Sequence, residues 1–108
     1  MQRISARFTR IVRIWNANTG QQRSSPIGSG SVLAVAFAPD GSWLATGDSD
    51  NAVRIWDATT GQQRMRLTGH SDWVDAVAIA PDGTWLATGG RDNLVQTWDA
   101  TTGENVWN

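Results

Sequence analysis

Laid under itself, the chain repeats with a period of 41 to 42 residues, and this periodicity limits what it can fold into more than any other feature. Trp15, Trp56 and Trp98 are 41 and 42 residues apart, Gly20, Gly61 and Gly103 keep the same two spacings, and Pro39-Asp40-Gly41 returns as Pro81-Asp82-Gly83. Between Val32–Gly61 and Val74–Gly103, 22 of 30 positions are identical, and Arg10–Arg23 matches Asn51–Arg64 at 10 of 14. The chain is therefore about three copies of one unit, the front copy lacking its first part. The one-residue difference in period falls between Arg23 and Val32, as expected of a loop, which absorbs length changes.

Within a unit, strands alternate with turn residues. Val74–Ile79 carries no charge after Asp75, and Pro81-Asp82-Gly83 then forms a tight turn, proline presetting φ and glycine accepting a positive φ. Trp85–Thr88 reads as a second strand, Leu94–Trp98 as a third and Asn105–Trp107 as a fourth, with Gly89–Asn93 and Thr102-Gly103 as turns. Glycines interrupt every stretch before three helical turns could accumulate. The expectation is an all-β chain of eleven strands, the first at Gln2–Ser5, aligned by register with Trp43–Thr46. Its units are a truncated one over 1–27 and complete ones over 28–68 and 69–108.

Thr68-Gly69-His70, Leu86-Ala87-Thr88-Gly89 and Trp98-Asp99 resemble the WD-repeat family, and the likeness covers nearly the whole chain. It implies four-stranded antiparallel sheets as blades of a partial β-propeller. It also implies, within a blade, a side-chain network of His, Ser or Thr, Asp and Trp; by position these are His70, Thr88, Asp92 and Trp98. The middle copy keeps Thr46, Asp50 and Trp56 but has Ile27-Gly28 in place of Gly69-His70, and the front copy has Ser5, Thr9 and Trp15, ending in Asn16. The blades should therefore be unequal and the last one stiffest.

Those residues include a hydroxyl, the single imidazole and a carboxylate, the ingredients of a hydrolytic triad. A nucleophile needs an exposed oxygen at a strained turn with donors aimed at an oxyanion, whereas Thr88 lies on a strand between apolar neighbours, so the network reads as structural and no catalytic residue is assigned. Asp48-Ser49-Asp50-Asn51 opens like a calcium loop, but Ala52 stands where an oxygen ligand belongs; Gly28-Ser29-Gly30-Ser31 lacks the lysine of a phosphate loop and reads as a flexible connection. Neither a metal nor a cofactor is expected.

The net charge of −1 offers nothing to nucleic acid or to an anionic membrane, and without cysteine the chain has neither disulfides nor thiolate metal sites. All nine basic residues are arginine. Met1–Arg10 carries three arginines and no apolar block, unlike a signal peptide or a membrane span, so a soluble, cytoplasmic protein is expected.

Of the seven tryptophans, Trp15, Trp56 and Trp98 are read as closing blades, and Trp43 and Trp85 as packing between neighbouring sheets. Trp73, flanked by Ser71, Asp72 and Asp75, sits in a loop where an aromatic residue would be partly exposed on the top face of a propeller. The resemblance implies that partners dock there, at Trp73, Asp75 and Arg91, with Ser31, Leu33 and Ser49 at the matching places one unit earlier.

A blade has two apolar faces that only neighbouring blades can cover, and closed propellers use about four to eight. Completion by a longer parent or by other copies is expected, two copies giving about six blades and three about nine, the dimer fitting better. The function expected is a non-catalytic protein-interaction scaffold. The alternatives are a sensor or ligand-binding segment of a larger multidomain signalling protein and, more remotely, a propeller enzyme with a site in the central channel.

Overall fold

The computed structural model describes residues 2–5, 13–16, 22–24 and 31–107, the first three groups by their backbone alone. Eleven strands and no helix are present among these residues. The strands are β1 (Gln2–Ser5), β2 (Arg13–Asn16), β3 (Gln22–Ser24), β4 (Val32–Phe37), β5 (Trp43–Asp48), β6 (Ala52–Asp57), β7 (Gln63–Thr68), β8 (Val74–Ile79), β9 (Trp85–Gly90), β10 (Val95–Asp99) and β11 (Asn105–Trp107). They form three antiparallel sheets: a front one ordered β1-β2-β3, a middle one β4-β5-β6-β7 and a last one β8-β9-β10-β11. The Arg23–Val32 connection, most of the Gly28–Ser31 stretch and Thr9 lie outside the described residues, as do the side chains of Ser5 and Trp15.

Local chemistry makes each turn. In both complete units an aspartate one residue past the proline closes the first hairpin: Asp40 Oδ1 accepts the Ser42 amide at 2.9 Å and its hydroxyl at 2.7 Å, and Asp82 does the same for Thr84 at 3.0 and 2.7 Å. The aspartate after the closing tryptophan shapes the last turn. Asp57 accepts the amides of Thr59 and Thr60, Asp99 those of Thr101 and Thr102, all at 2.8 to 2.9 Å. The turns between second and third strands pass through Asn51 and Asn93 at φ of 71° and 66°, a left-handed conformation that asparagine tolerates better than most residues.

The core lies between sheets. Alternation along β5 and β6 sends Ala45, Val53 and Ile55 to one face and Leu44 and Trp56 to the other. The first face, with Leu67, meets Val74, Leu86 and Trp98 of the last sheet in one buried cluster, while the second gathers Val32, Leu44, Trp56 and Ala58. The two second-strand tryptophans diverge. Trp43 packs against the inter-sheet cluster as expected, but Trp85, its counterpart, is exposed, because among the described residues no further sheet covers the outer face of β8–β11.

Candidate functional site

Two groups of residues carry the chemistry of the last sheet, one buried and one exposed. The buried group begins in the connection from β7 to β8, where Gly69 passes so close to Trp98 that an added Cβ would lie 2.9 Å from its ring. This places His70 over the sheet, its Nε2 2.7 Å from Thr88 Oγ1 and its Nδ1 3.0 Å from Asp92 Oδ2. Trp98 Nε1 donates to the same Thr88 oxygen at 2.9 Å. The indole N–H donates to the threonine oxygen, and both ring nitrogens of His70 lie within hydrogen-bonding distance of a partner, Nε2 of Thr88 and Nδ1 of Asp92.

Asp92 also accepts the amides of Ser71 at 3.0 Å and Leu94 at 3.2 Å. Burial opposes its ionisation, but the bonds from Ser71, His70 and Leu94 together outweigh that and hold its carboxyl below the usual range. Thr88 is buried, with its oxygen bonded to both Trp98 and His70, so the arrangement offers no attacking hydroxyl.

In the middle sheet the same positions are wired differently. Trp56 Nε1 donates to Thr46 Oγ1 at 3.0 Å, as its counterpart does, but Asp50 takes the Arg54 guanidinium at 2.6 and 3.0 Å. Arg54 also bonds Asp48, which is fully buried and whose Oδ1 has no partner. Burial pushes the Asp48 carboxyl up to about 6, against the pull of Arg54.

Sequence reasoning missed this buried arginine, although a signal was present in how the copies differ. His70, Gly90 and Gln96 in the last unit are matched by Gly28, Asp48 and Arg54. A Cβ on Gly90 would lie 2.8 Å from His70 Nδ1 and 2.8 Å from Asp92 Oδ1, so the histidine requires glycine there. Where the sequence has no histidine, position 48 carries an aspartate, and an arginine replaces the glutamine across the strand pair. Gln96 instead donates to the Gly69 carbonyl at 2.6 Å and accepts from Asn105. The aspartates that open like a calcium loop are thus taken up by Arg54, and no group of three or more His, Cys, Asp or Glu able to hold a metal occurs among the described residues.

The exposed group lies at the other end of the same loops. Trp73 and Arg91 are tied through their backbones, the Arg91 amide donating to the Trp73 carbonyl at 2.9 Å, and the matching bond one unit earlier runs from Ser49 to Ser31. The Arg91 guanidinium lies 4.3 Å over the Trp73 ring, and its Nε is 3.5 Å from Asp75 Oδ2. All three side chains are open to solvent, Trp73 at 38% exposure. The structure thus brings Trp73, Asp75 and Arg91 together as one platform. Ser31 and Ser49 form only a backbone-linked pair one unit earlier, where Ser31 N–H also bonds Ser49 Oγ at 2.9 Å.

Comparison with known proteins points one way. The family model for the WD domain, G-beta repeat, matches residues 20–57 and 61–99. An uncharacterized WD repeat-containing protein from Nostoc sp. is 43% identical over 47 residues, 44% of this chain and 3% of that protein. Two solved structures, of U3-55K and of the RRP9 WD40 repeats, superpose at TM-score 0.90 with 27% identity. They cover 96% of this chain, which spans only 34% and 33% of theirs. The second matched stretch begins in the turn before β7 and ends after β10. Residues 61–99 therefore join β7 of one sheet to β8–β10 of the next, so that this repeat bridges two blades.

Proposed function

Because this chain belongs to the WD domain, G-beta repeat family, whose folds serve generally as protein-interaction scaffolds and are typically non-catalytic, we propose that it is a non-enzymatic docking module whose partner site is the platform of Trp73, Asp75 and Arg91. One observation carries this reading: the 4.3 Å stacking of Arg91 on a partly exposed Trp73, with Asp75 holding the guanidinium from the side. An aromatic ring with a steered arginine is a rigid, partly desolvated contact surface, the composition found at interface hot spots. A protein or peptide segment is the partner proposed. The remaining parts of the proposal are cytoplasmic location, association of copies to complete a ring, and a purely structural role for the His70 and Asp50 networks. No helix among the described residues is long and apolar enough to cross a membrane.

Selection of peptides from a displayed library on the immobilised chain tests the platform. Sequences enriched on the wild type should lose at least about tenfold in affinity on Trp73→Ala and on Arg91→Ala, the size of a single hot-spot truncation. They should bind His70→Ala normally at temperatures where that variant is folded. Enriched peptides that bind both platform variants as well as the wild type would place the site elsewhere.

A further inference from the structure

The two complete units share 22 of 30 positions, and their eight differences are not spread evenly. Five lie at the end of the sheet where β8 begins and β9 turns into β10: Leu33 is matched by Asp75, Asp48 by Gly90, Ser49 by Arg91, Ala52 by Leu94 and Arg54 by Gln96. Just ahead of the aligned stretch, Ser31 is matched by Trp73. Gly90 and Gln96 serve the buried side, Gly90 leaving room for His70 and Gln96 bonding the Gly69 carbonyl. The other four, Trp73, Asp75, Arg91 and Leu94, are exposed.

Backbone bonds fix the order of these four across the sheet. The Arg91 amide donates to the Trp73 carbonyl at 2.9 Å and the Gly90 amide to the Leu94 carbonyl at 3.2 Å. Trp73 and Leu94 therefore stand on either side of the turn that carries Arg91, two strand spacings or about 10 Å apart. Leu94 is 45% exposed, whereas its counterpart Ala52 is buried. It directly precedes β10, and alternation places it with Gln96 and Trp98, on the side where the middle sheet lies. Its exposure thus belongs to this end of the sheet and not to the outer face.

Arg91 is held in place with its charge still available. The Trp73 ring takes the plane of the guanidinium at 4.3 Å and Asp75 faces Nε at 3.5 Å, while neither Nη group has a hydrogen bond or ion pair among the described residues. Two such donors form the planar fork that a carboxylate fits. Asp72 and Asp75, both exposed beside Trp73, would repel a doubly charged phosphate more than a single carboxylate. An extended chain covers the distance from Trp73 to Leu94, about 10 Å, in three residues.

We propose that this end of the last sheet binds an extended peptide segment of a partner protein, two apolar side chains three positions apart resting on Trp73 and Leu94 and a glutamate or aspartate between them gripped by Arg91. This rests on the platform being the partner site. It adds Leu94 to that site, and a charge and a spacing to what the site selects.

Four pools of displayed nine-residue peptides, random except for a central Glu, Gln, Lys or Ala, are selected against the full-length chain. The Glu pool should enrich at least about tenfold over the others, the margin of a charge-assisted pair at a hot spot, with apolar residues three apart bracketing the acid. On Arg91→Ser that preference should vanish, and on Leu94→Ala the selected peptides should weaken at least about fivefold, a modest loss for an apolar contact. Both variants carry the middle unit's own residues, so their melting should stay close to that of the wild type. Equal enrichment of all pools, still lost on Trp73→Ala, would overturn the carboxylate and leave the platform standing, as would a winning Lys pool. Unchanged binding by Leu94→Ala would overturn the two-point spacing. Phosphoserine in place of the selected Glu, binding tenfold tighter, would overturn the choice of a single carboxylate. Enrichment that survives both Trp73→Ala and Arg91→Ser, or no enrichment from any pool, would overturn the platform together with this inference.

Discussion

At the scale of single residues, the molecule solves one problem twice. A closing tryptophan brings its N–H into the core and a threonine oxygen receives it, at 2.9 Å in the last sheet and 3.0 Å in the middle one. Beyond that bond the last unit continues through His70 to Asp92 and the middle one relies on a buried ion pair. His70→Ala should lower stability by about 1–3 kcal/mol, the usual consequence of leaving a buried hydroxyl one partner short, read from denaturant unfolding. Arg54→Ala should be worse, about 3–5 kcal/mol, since it strands the buried Asp48. Asp48→Gly combined with Arg54→Gln, which installs the residues of the last unit, should recover most of that loss. The Asp48 carboxyl also has a pH signature. Its folded value near 6 lies above the ordinary 3.8, so its contribution to stability is full below about pH 4 and disappears as pH rises through 6. Unfolding free energies of wild type and Asp48→Asn measured from pH 4 to 7 should therefore diverge, the wild type losing ground as pH rises. Asp92 and Asp57, both held below the ordinary value, act in the opposite sense, losing their stabilising effect as pH falls through their folded values.

At the scale of strands and turns, the resemblance to WD repeats made the four-residue network His70, Thr88, Asp92 and Trp98 readable, because each member sits at a fixed place relative to a turn or a strand end. The Asp48–Arg54 pair was not readable in that way. It depends on the register that sets Thr46 opposite Arg54, two residues from Asp48, and no motif marks it. The compensating differences between copies hold the only trace. Gly90→Ala should accordingly be destabilising, its new Cβ colliding with His70 and Asp92, and should cost less once His70→Gly removes one of the two obstacles; thermal melts of the two single variants and the double variant measure that coupling. Expected stiffness also changes. The network alone suggests the last blade is the most rigid, yet the middle sheet is packed on both faces and the last sheet on one. Amide exchange should thus be slowest in β5 and β6 and faster in β10 and β11, provided the chain is dilute enough to be single.

At the scale of the molecule, blades are bound by chain as well as by packing. The matched stretch 61–99 runs from the fourth strand of the middle sheet to the third of the last, so the two sheets are joined by the single connection from β7 to β8, and the buried cluster between them holds them together. Trp85 and Val95 of the last sheet are exposed, whereas their counterparts Trp43 and Val53 pack in or against the inter-sheet cluster. The platform of Trp73, Asp75 and Arg91 is separate from the face that carries Trp85, so partner binding and any association of copies should be separable by mutation.

The period, the strands and the tight turns follow from residue order, because each is governed by contacts within a sheet or within a few residues of a turn, and the resemblance to WD repeats adds the membership of the His70 network. Burial is different. Trp43 and Trp85 are preceded by the same Pro-Asp-Gly turn and followed by the same Leu-Ala-Thr-Gly, yet one packs in the core and the other stands in solvent. Strand propensity and alternation assign both to the same face of the same strand. Whether that face is covered depends on what lies across it, a relation between whole sheets that no local run of residues encodes.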